Sequence, residues 1–195
     1  MDVSVLLEPS IDLKRLTEVL DGLGHEGRVH TTRGWGKKRQ AELYEVAKGY
    51  LPIDLDFLVP PSMGNLVEVI HEGKNTLGAF SHFQKRFVKL EGDVAPIGGY
   101  NHQTLSGITG PGYFVVDLGT GEHEGELAID YTRIPKNKPA SWPAIKTNDG
   151  GLGSLVYGGM IDYLRRLSEH VSIGRAYKKG KAMDAWFTLV RKDVA

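Results

Sequence analysis

The chain contains no cysteine, which excludes disulfides, thiolate nucleophiles, zinc–thiolate centres and iron–sulfur clusters and leaves His, Asp and Glu as metal-ligand types. It also lacks charge of one dominant sign. Twenty-four Lys+Arg stand against 24 Asp+Glu, so the global positive field of a nucleic-acid binder is missing and electrostatic recognition must be local. No apolar run reaches membrane-spanning length, and residues Met1 to Pro9 have neither the basic start nor the uninterrupted apolar stretch of a secretory signal; a soluble, cytoplasmic protein is expected. What the chain has in excess is glycine, 25 of 195 residues, nearly twice the usual share of about 7%. That excess favours many turns and close backbone approaches over a helical bundle.

With 195 residues and 41% hydrophobic content the chain is read as one domain over 1–195, a helical region 10–50 packed on an antiparallel sheet over 66–192. Leu13, Leu16, Leu20 and Leu23 recur at helical spacing after Ser10 and are closed by Gly22 and Gly24. A second helix is predicted from about Lys38 to Lys48, with Leu43, Val46 and Ala47 on one face. From residue 66 the period changes, and turn clusters separate the predicted strands Phe83 to Leu90, Ile97 to His102, Tyr113 to Leu118 and Glu126 to Ile134. Residues 135 to 154 read as a long belt around a buried Trp142. Val156, Met160, Leu164 and Leu167 then suggest a helix with Asp162 and Arg166 on its wet side, ahead of a hairpin of Val171 to Lys178 and Ala185 to Lys192 that turns at Lys179-Gly180-Lys181. The fold class is therefore α+β: a curved or barrel-like antiparallel sheet with two N-terminal helices and one helix before a C-terminal hairpin.

Two motifs resemble known chemistry and fail on spacing. His25-Glu26-Gly27-Arg28-Val29-His30 is one residue too long for a zinc-binding HExxH, and Gly22-Leu23-Gly24-His25-Glu26-Gly27 follows a helix where a dinucleotide fingerprint needs a strand. Both read as a helix end or loop. Arg28 to Arg39 gathers five basic residues around Trp35 with no acid, a patch for phosphate or stacked bases.

Alternation along the strands supplies the candidate site. If Phe83 and Phe87 point inward, Lys85 goes with them, and a cation among aromatics needs an anionic companion. Tyr131 shares a face with Leu127 and Ile129, Arg133 lies further along it, and Tyr100 shares a face with His102. Phe83, Lys85, Phe87, Tyr100, His102, Tyr131 and Arg133 are the candidate ligand-binding residues, and Lys85 and Arg133 are expected to neutralise an anionic ligand. A one-residue register slip would instead turn Gln84, Arg86, Asn101 and Asp130 inward.

The stretches Gly73-Lys74-Asn75-Thr76-Leu77, Phe83-Gln84-Lys85-Arg86-Phe87, Gly99-Tyr100-Asn101, Thr109-Gly110-Pro111-Gly112-Tyr113-Phe114 and Ile129 to Pro135 resemble a family of uncharacterised bacterial proteins. That resemblance implies no activity. The Gly-rich meander, with Gly34-Trp35-Gly36, is similar in architecture to lipocalin-like barrels, although the tripeptide departs from the lipocalin GxW spacing. The expected function is binding or carriage of a small apolar or carboxylate-bearing molecule in a β-barrel-like cavity, with no membrane partner and no nucleic acid. The first alternative is an isomerase-, lyase- or hydrolase-type enzyme in the same cavity, with His102 and Tyr131 as its catalytic acid–base pair. The second is an anion or nucleic-acid interaction module built on residues 28–39 and the hairpin tip. No cofactor or metal is expected; haem would need an inward histidine, His102 first and His71 next.

Overall fold

The computed structural model describes residues 10–78, 81–93, 95–102, 110–148 and 157–194. Eight antiparallel strands follow one another around a closed barrel in chain order: β1 (Val69–Asn75), β2 (His82–Lys89), β3 (Ile97–His102), β4 (Tyr113–Leu118), β5 (Leu127–Asp130), β6 (Met160–Arg166), β7 (Val171–Lys178) and β8 (Lys181–Arg191). Pairing of β8 with β1 closes the sheet and removes its exposed edges. Four helices precede the barrel: α1 (Leu13–Gly22), α2 (His25–Arg33), α3 (Lys37–Val46) and the short α4 (Leu55–Leu58). The α+β class and the barrel-like antiparallel sheet are thus observed. None of these helices is long and apolar enough to cross a membrane.

Two segments, 160–166 and 25–33, take a different form from that expected. The segment read as a helix through Met160, Leu164 and Leu167 is a strand from Met160 to Arg166; Val156 lies outside the described residues, as do 149–154 of the belt. Met160 and Leu164 lie four residues apart, which fits one face of a helix and equally one face of a strand. Ladders to β5 and β7 on either side decide for the strand. Residues 25–33, read as a helix end or loop, form α2, which Gly24 opens without a side-chain cap. Its apolar periodicity is weak because Arg28 and Thr32 are buried alongside Val29. Packing rather than propensity holds that helix.

Three apolar clusters organise the molecule. The first fills the barrel, and α1–α3 lay Leu16, Leu20, Val29 and Leu43 against Val171, Ile173 and Val190 on the outside of β7 and β8. The third lies outside β2–β4, where Trp142 packs on Tyr100 and Tyr113. The Trp142 indole donates to Glu68 at 2.6 Å, and Asn148 donates to the carbonyls of Tyr113 and Tyr131 at 2.7 and 2.8 Å. Residues 135–148 are therefore a fastened strap on the outer surface.

One end of the barrel is plugged. Asp54 caps α4 by accepting from the Phe57 amide at 3.0 Å, and Phe57, Leu58 and Val59 enter the interior cluster. Arg191 donates to the Phe57 carbonyl at 2.8 Å and His71 Nε2 to the Leu58 carbonyl at 3.0 Å, so β8 and β1 both hold the plug.

Glycine makes room for the rings inside. Gly73 faces Phe83, Gly99 faces Phe114 and Gly174 faces Phe187 across neighbouring strands, and in each pair the ring occupies the space of the missing Cβ. At Gly99 an added Cβ would lie 2.3 Å from the Arg86 carbonyl oxygen, which β-pairing fixes in place. Gly99→Ala is therefore expected to lower stability by about 1–3 kcal/mol, read as a shifted urea midpoint with an unchanged denaturant slope.

Candidate functional site

At the end opposite α4 the described residues leave the interior unfilled. A cavity of about 320 Å³ opens there, lined by Leu77, Phe83, Tyr157, Met160, Met183, Trp186 and Phe187, with Ala176 and Ala185 contributing little bulk. Its polar lining comes from Asn75, Lys85, Asn101, Asp162 and Lys178. An eight-stranded barrel is just wide enough either to be filled by its own side chains or to hold one small ligand. This one does each at one end.

The strand period explains how the polar groups arrive at the buried side of the cavity. On β2, Phe83, Lys85 and Phe87 alternate inward; Asn101 is the cross-strand partner of Lys85 on β3; Tyr131 follows β5; and Asp162 lies on β6 opposite Ile129 and Ala176. Lys85 is 2% and Asp162 3% exposed, so this is an ion pair inside the barrel. The Lys85 ammonium donates to Asp162 Oδ2 at 3.1 Å, to Asn101 Oδ1 at 3.0 Å and to the Tyr131 hydroxyl, which matches its three N–H groups with three acceptors. Tyr131 also accepts from Asn101 Nδ2 at 3.0 Å and donates to Asp162 Oδ2 at 3.2 Å. The rings of Phe114, Tyr131 and Phe187 surround the ammonium at 5.0–5.2 Å from their centroids.

Protonation follows from this enclosure. Burial pushes the Lys85 ammonium below the usual lysine range, and Asp162 pulls it back. Burial, reinforced by Asp162, holds the Tyr131 hydroxyl well above the usual tyrosine range, so Tyr131 keeps the proton it donates. Asp162 Oδ1 is buried and has no hydrogen-bond partner among the described residues.

The residues singled out from sequence divide between the two faces of the sheet. Phe83 and Lys85 line the cavity, Phe87 lies deeper in the interior cluster, and Tyr131 joins the polar group around Lys85. Tyr100, His102 and Arg133 do not join them. On β3 the inward positions are Gly99 and Asn101, so Tyr100 packs outward under the strap and His102 stands exposed beside it, with Tyr100 Oη 3.4 Å from His102 Nδ1. Arg133 is exposed outside and pairs with Asp117 and, at 2.8 Å, Asp130. The expected neutralisation of an anionic ligand by Lys85 and Arg133 is therefore not what the geometry provides: Lys85 is already neutralised by Asp162, and Arg133 is elsewhere. With His102 outside, the acid–base alternative retains only Tyr131. Asn101 was reachable from sequence through the inverted register, whereas Asp162 was hidden by the helical reading of its segment.

The other expectations also meet corrections. His71 is inward but lies at the plugged end between the Phe57 and Phe87 rings, at centroid distances of 6.4 and 4.7 Å, and its Nε2 is taken by the Leu58 carbonyl. It does not fit as a haem ligand. Among the described residues no cluster of three or more His, Asp or Glu side chains is placed to hold a metal ion. In the basic stretch 28–39, Arg28 is buried and paired with Asp193, Arg33 with Glu72, Lys37 with Asp184 and Arg39 with Glu42, while Trp35 is 5% exposed beneath the helices. The patch is a set of ion pairs, and its indole is not presented for stacking.

Two outcomes test this description. Burial lowers the His71 pKa to about 3, against the pull of the Leu58 carbonyl. The unfolded chain then binds one more proton than the folded one between about pH 3 and 6.5, so the contribution of His71 is complete above pH 6.5 and falls with acidification. His71→Gln, which keeps an N–H for Leu58, is expected to flatten the acid limb of the stability–pH curve by up to about 1.4 kcal/mol per pH unit, measured by urea unfolding from pH 7 to 4. Lys85→Met leaves the Asp162 carboxylate uncompensated and is expected to cost about 3–5 kcal/mol. The double variant Lys85→Met/Asp162→Leu removes the pair as a unit, leaves Asn101 and Tyr131 bonded to each other, and should return to within about 1 kcal/mol of the starting protein.

Comparison with known proteins adds no name to this geometry: no family model, curated protein or solved structure matches the chain. What stands of the resemblances is the architecture, a closed eight-stranded antiparallel barrel.

Proposed function

We propose that the protein binds a small, largely apolar molecule in the open end of its barrel, as a cytoplasmic binder or carrier. The single observation that carries this reading is the cavity of about 320 Å³, walled by aromatic, methionine and alanine side chains and ended by the Lys85–Asp162 pair. Its size is at the lower limit of small-molecule sites, and a mostly apolar lining with a few convergent polar groups is the usual composition of such sites. The up-and-down eight-stranded closure is an architecture that elsewhere encloses single small ligands. The strands at the two ends supply different side chains. Where α4 enters, large residues meet the plug; at the open end Ala176 and Ala185 leave space that Phe or Leu at those positions would fill.

Filling that space is the direct test. Ala185→Trp places a ring in the cavity at a half-buried position of β8. The full chain is expected to take up the neutral dye N-phenylnaphthylamine with a rise in fluorescence, and Ala185→Trp to weaken uptake at least ten-fold with an unchanged far-ultraviolet circular dichroism spectrum. Equal uptake by the two proteins would remove the cavity as the binding place.

A further inference from the structure

The polar groups at the buried side of the cavity define which head group can be accommodated. Lys85 has no N–H left to give: Asp162, Asn101 and Tyr131 accept all three. The carboxylate of Asp162 is used only at one oxygen. Oδ2 accepts from both Lys85 and Tyr131, while Oδ1, equally buried, accepts from nothing among the described residues although Asp162 lines the cavity. A buried acceptor of this kind is costly to leave unmatched, and a hydrogen bond to a charged group is among the stronger ones. The charge balance narrows the choice further. Lys85 and Asp162 cancel, inside a cage of Phe83, Phe114, Tyr131 and Phe187 rings. A ligand carboxylate would add an uncompensated negative charge next to Asp162, and a ligand ammonium a second positive charge beside Lys85; both are expensive in apolar surroundings.

We propose that this site selects a neutral hydrogen-bond donor, a hydroxyl or N–H on an otherwise apolar ligand, with Asp162 Oδ1 as the acceptor that reads it. The inference rests on the binding function proposed above and replaces the expected anionic ligand with a neutral one. Lys178 also lines the cavity but lies at the last residue of β7, near the hairpin turn, where an anionic head group would meet a cation away from the Lys85–Asp162 pair. The two placements, a neutral donor at Asp162 or an anion at Lys178, make opposite predictions for matched ligands.

The experiment is calorimetric titration of the full-length protein with octanol, octyl methyl ether, octanoate and octylamine near neutral pH. Octanol is expected to bind at least ten-fold more tightly than each of the other three, although the ether is the more apolar molecule. In the Lys85→Met/Asp162→Leu variant, whose folding is checked by its unfolding transition, the preference for octanol over the ether should vanish or reverse while the ether still binds. Should that variant fail to fold, the ranking on the unmodified protein decides alone. Octanoate binding as tightly as octanol, and losing its affinity in Lys178→Met, would overturn the inference and leave the binding function standing. An octanol preference that survives the double variant would overturn Asp162 as the reader. Failure of all four probes to bind, the ether included, would overturn the binding function and this inference with it.

Discussion

A lysine ammonium enclosed by a β-barrel has to find its hydrogen-bond acceptors and its counter-charge on other strands, and this requirement ties the site to the fold. Lys85 on β2 takes one acceptor from β3, one from the residue after β5 and its counter-ion from β6, so four stretches of chain must hold the right register together. A slip of one residue at any of them would turn a partner to the outer face and leave a buried charge alone. Burying the pair carries a desolvation penalty that its own attraction does little more than offset, so its value lies less in stability than in fixing one arrangement at the closed side of a cavity.

Space inside the barrel is divided by side-chain volume. Glycines at three inward positions admit phenylalanine rings from the adjacent strand, which lets aromatic residues pack without widening the sheet. At the α4 end the plug uses the remaining room, held by His71 and Arg191 through main-chain carbonyls. At the other end Ala176 and Ala185 line a cavity together with Met160 and Phe187, and the described residues leave it unfilled. The excess of glycine in the composition thus has a specific use in the wall, beyond the turns.

Much of this was legible in the sequence, and the failures have definite causes. The alternation Phe83-Lys85-Phe87 placed a cation among aromatics and required an anionic companion, and one is present. That the companion is Asp162 was concealed because Asp162 and Arg166 lie four apart, as an ion pair on a helix would, while in β6 they share the inner face. The face shared by Tyr100 and His102 reads from sequence as an inner one. Here the strap 135–148 buries the outer face as well, so aromatic content no longer distinguishes inside from outside, and Gly99 and Asn101 face inward instead. The basic run 28–39 contains no acid of its own; Arg39 finds Glu42 one turn along α3, but Glu72, Asp184 and Asp193 are distant in sequence and reach the run only through the fold. Local pattern reports local partners, and closed barrels draw theirs from far along the chain.

A second buried carboxylate shows why the inner pair is the functional candidate. Glu126, just before β5, sits 4% exposed on the outside of the barrel under α3. Its Oε1 accepts from Arg165 Nε and Nη2 at 2.9 and 2.7 Å, and its Oε2 lies 3.2 Å from the Tyr44 hydroxyl and 3.1 Å from His123 Nδ1. Both oxygens are satisfied, Arg165 lies against the Tyr44 ring at 3.7 Å, and the network joins helix to sheet with no acceptor left over. Asp162 has the same degree of burial and the same kind of cationic partner, yet one oxygen is unmatched beside a cavity. A carboxylate that serves structure alone is completed by its own chain, as Glu126 is; one left half-completed next to open volume has capacity for a donor that the chain does not supply.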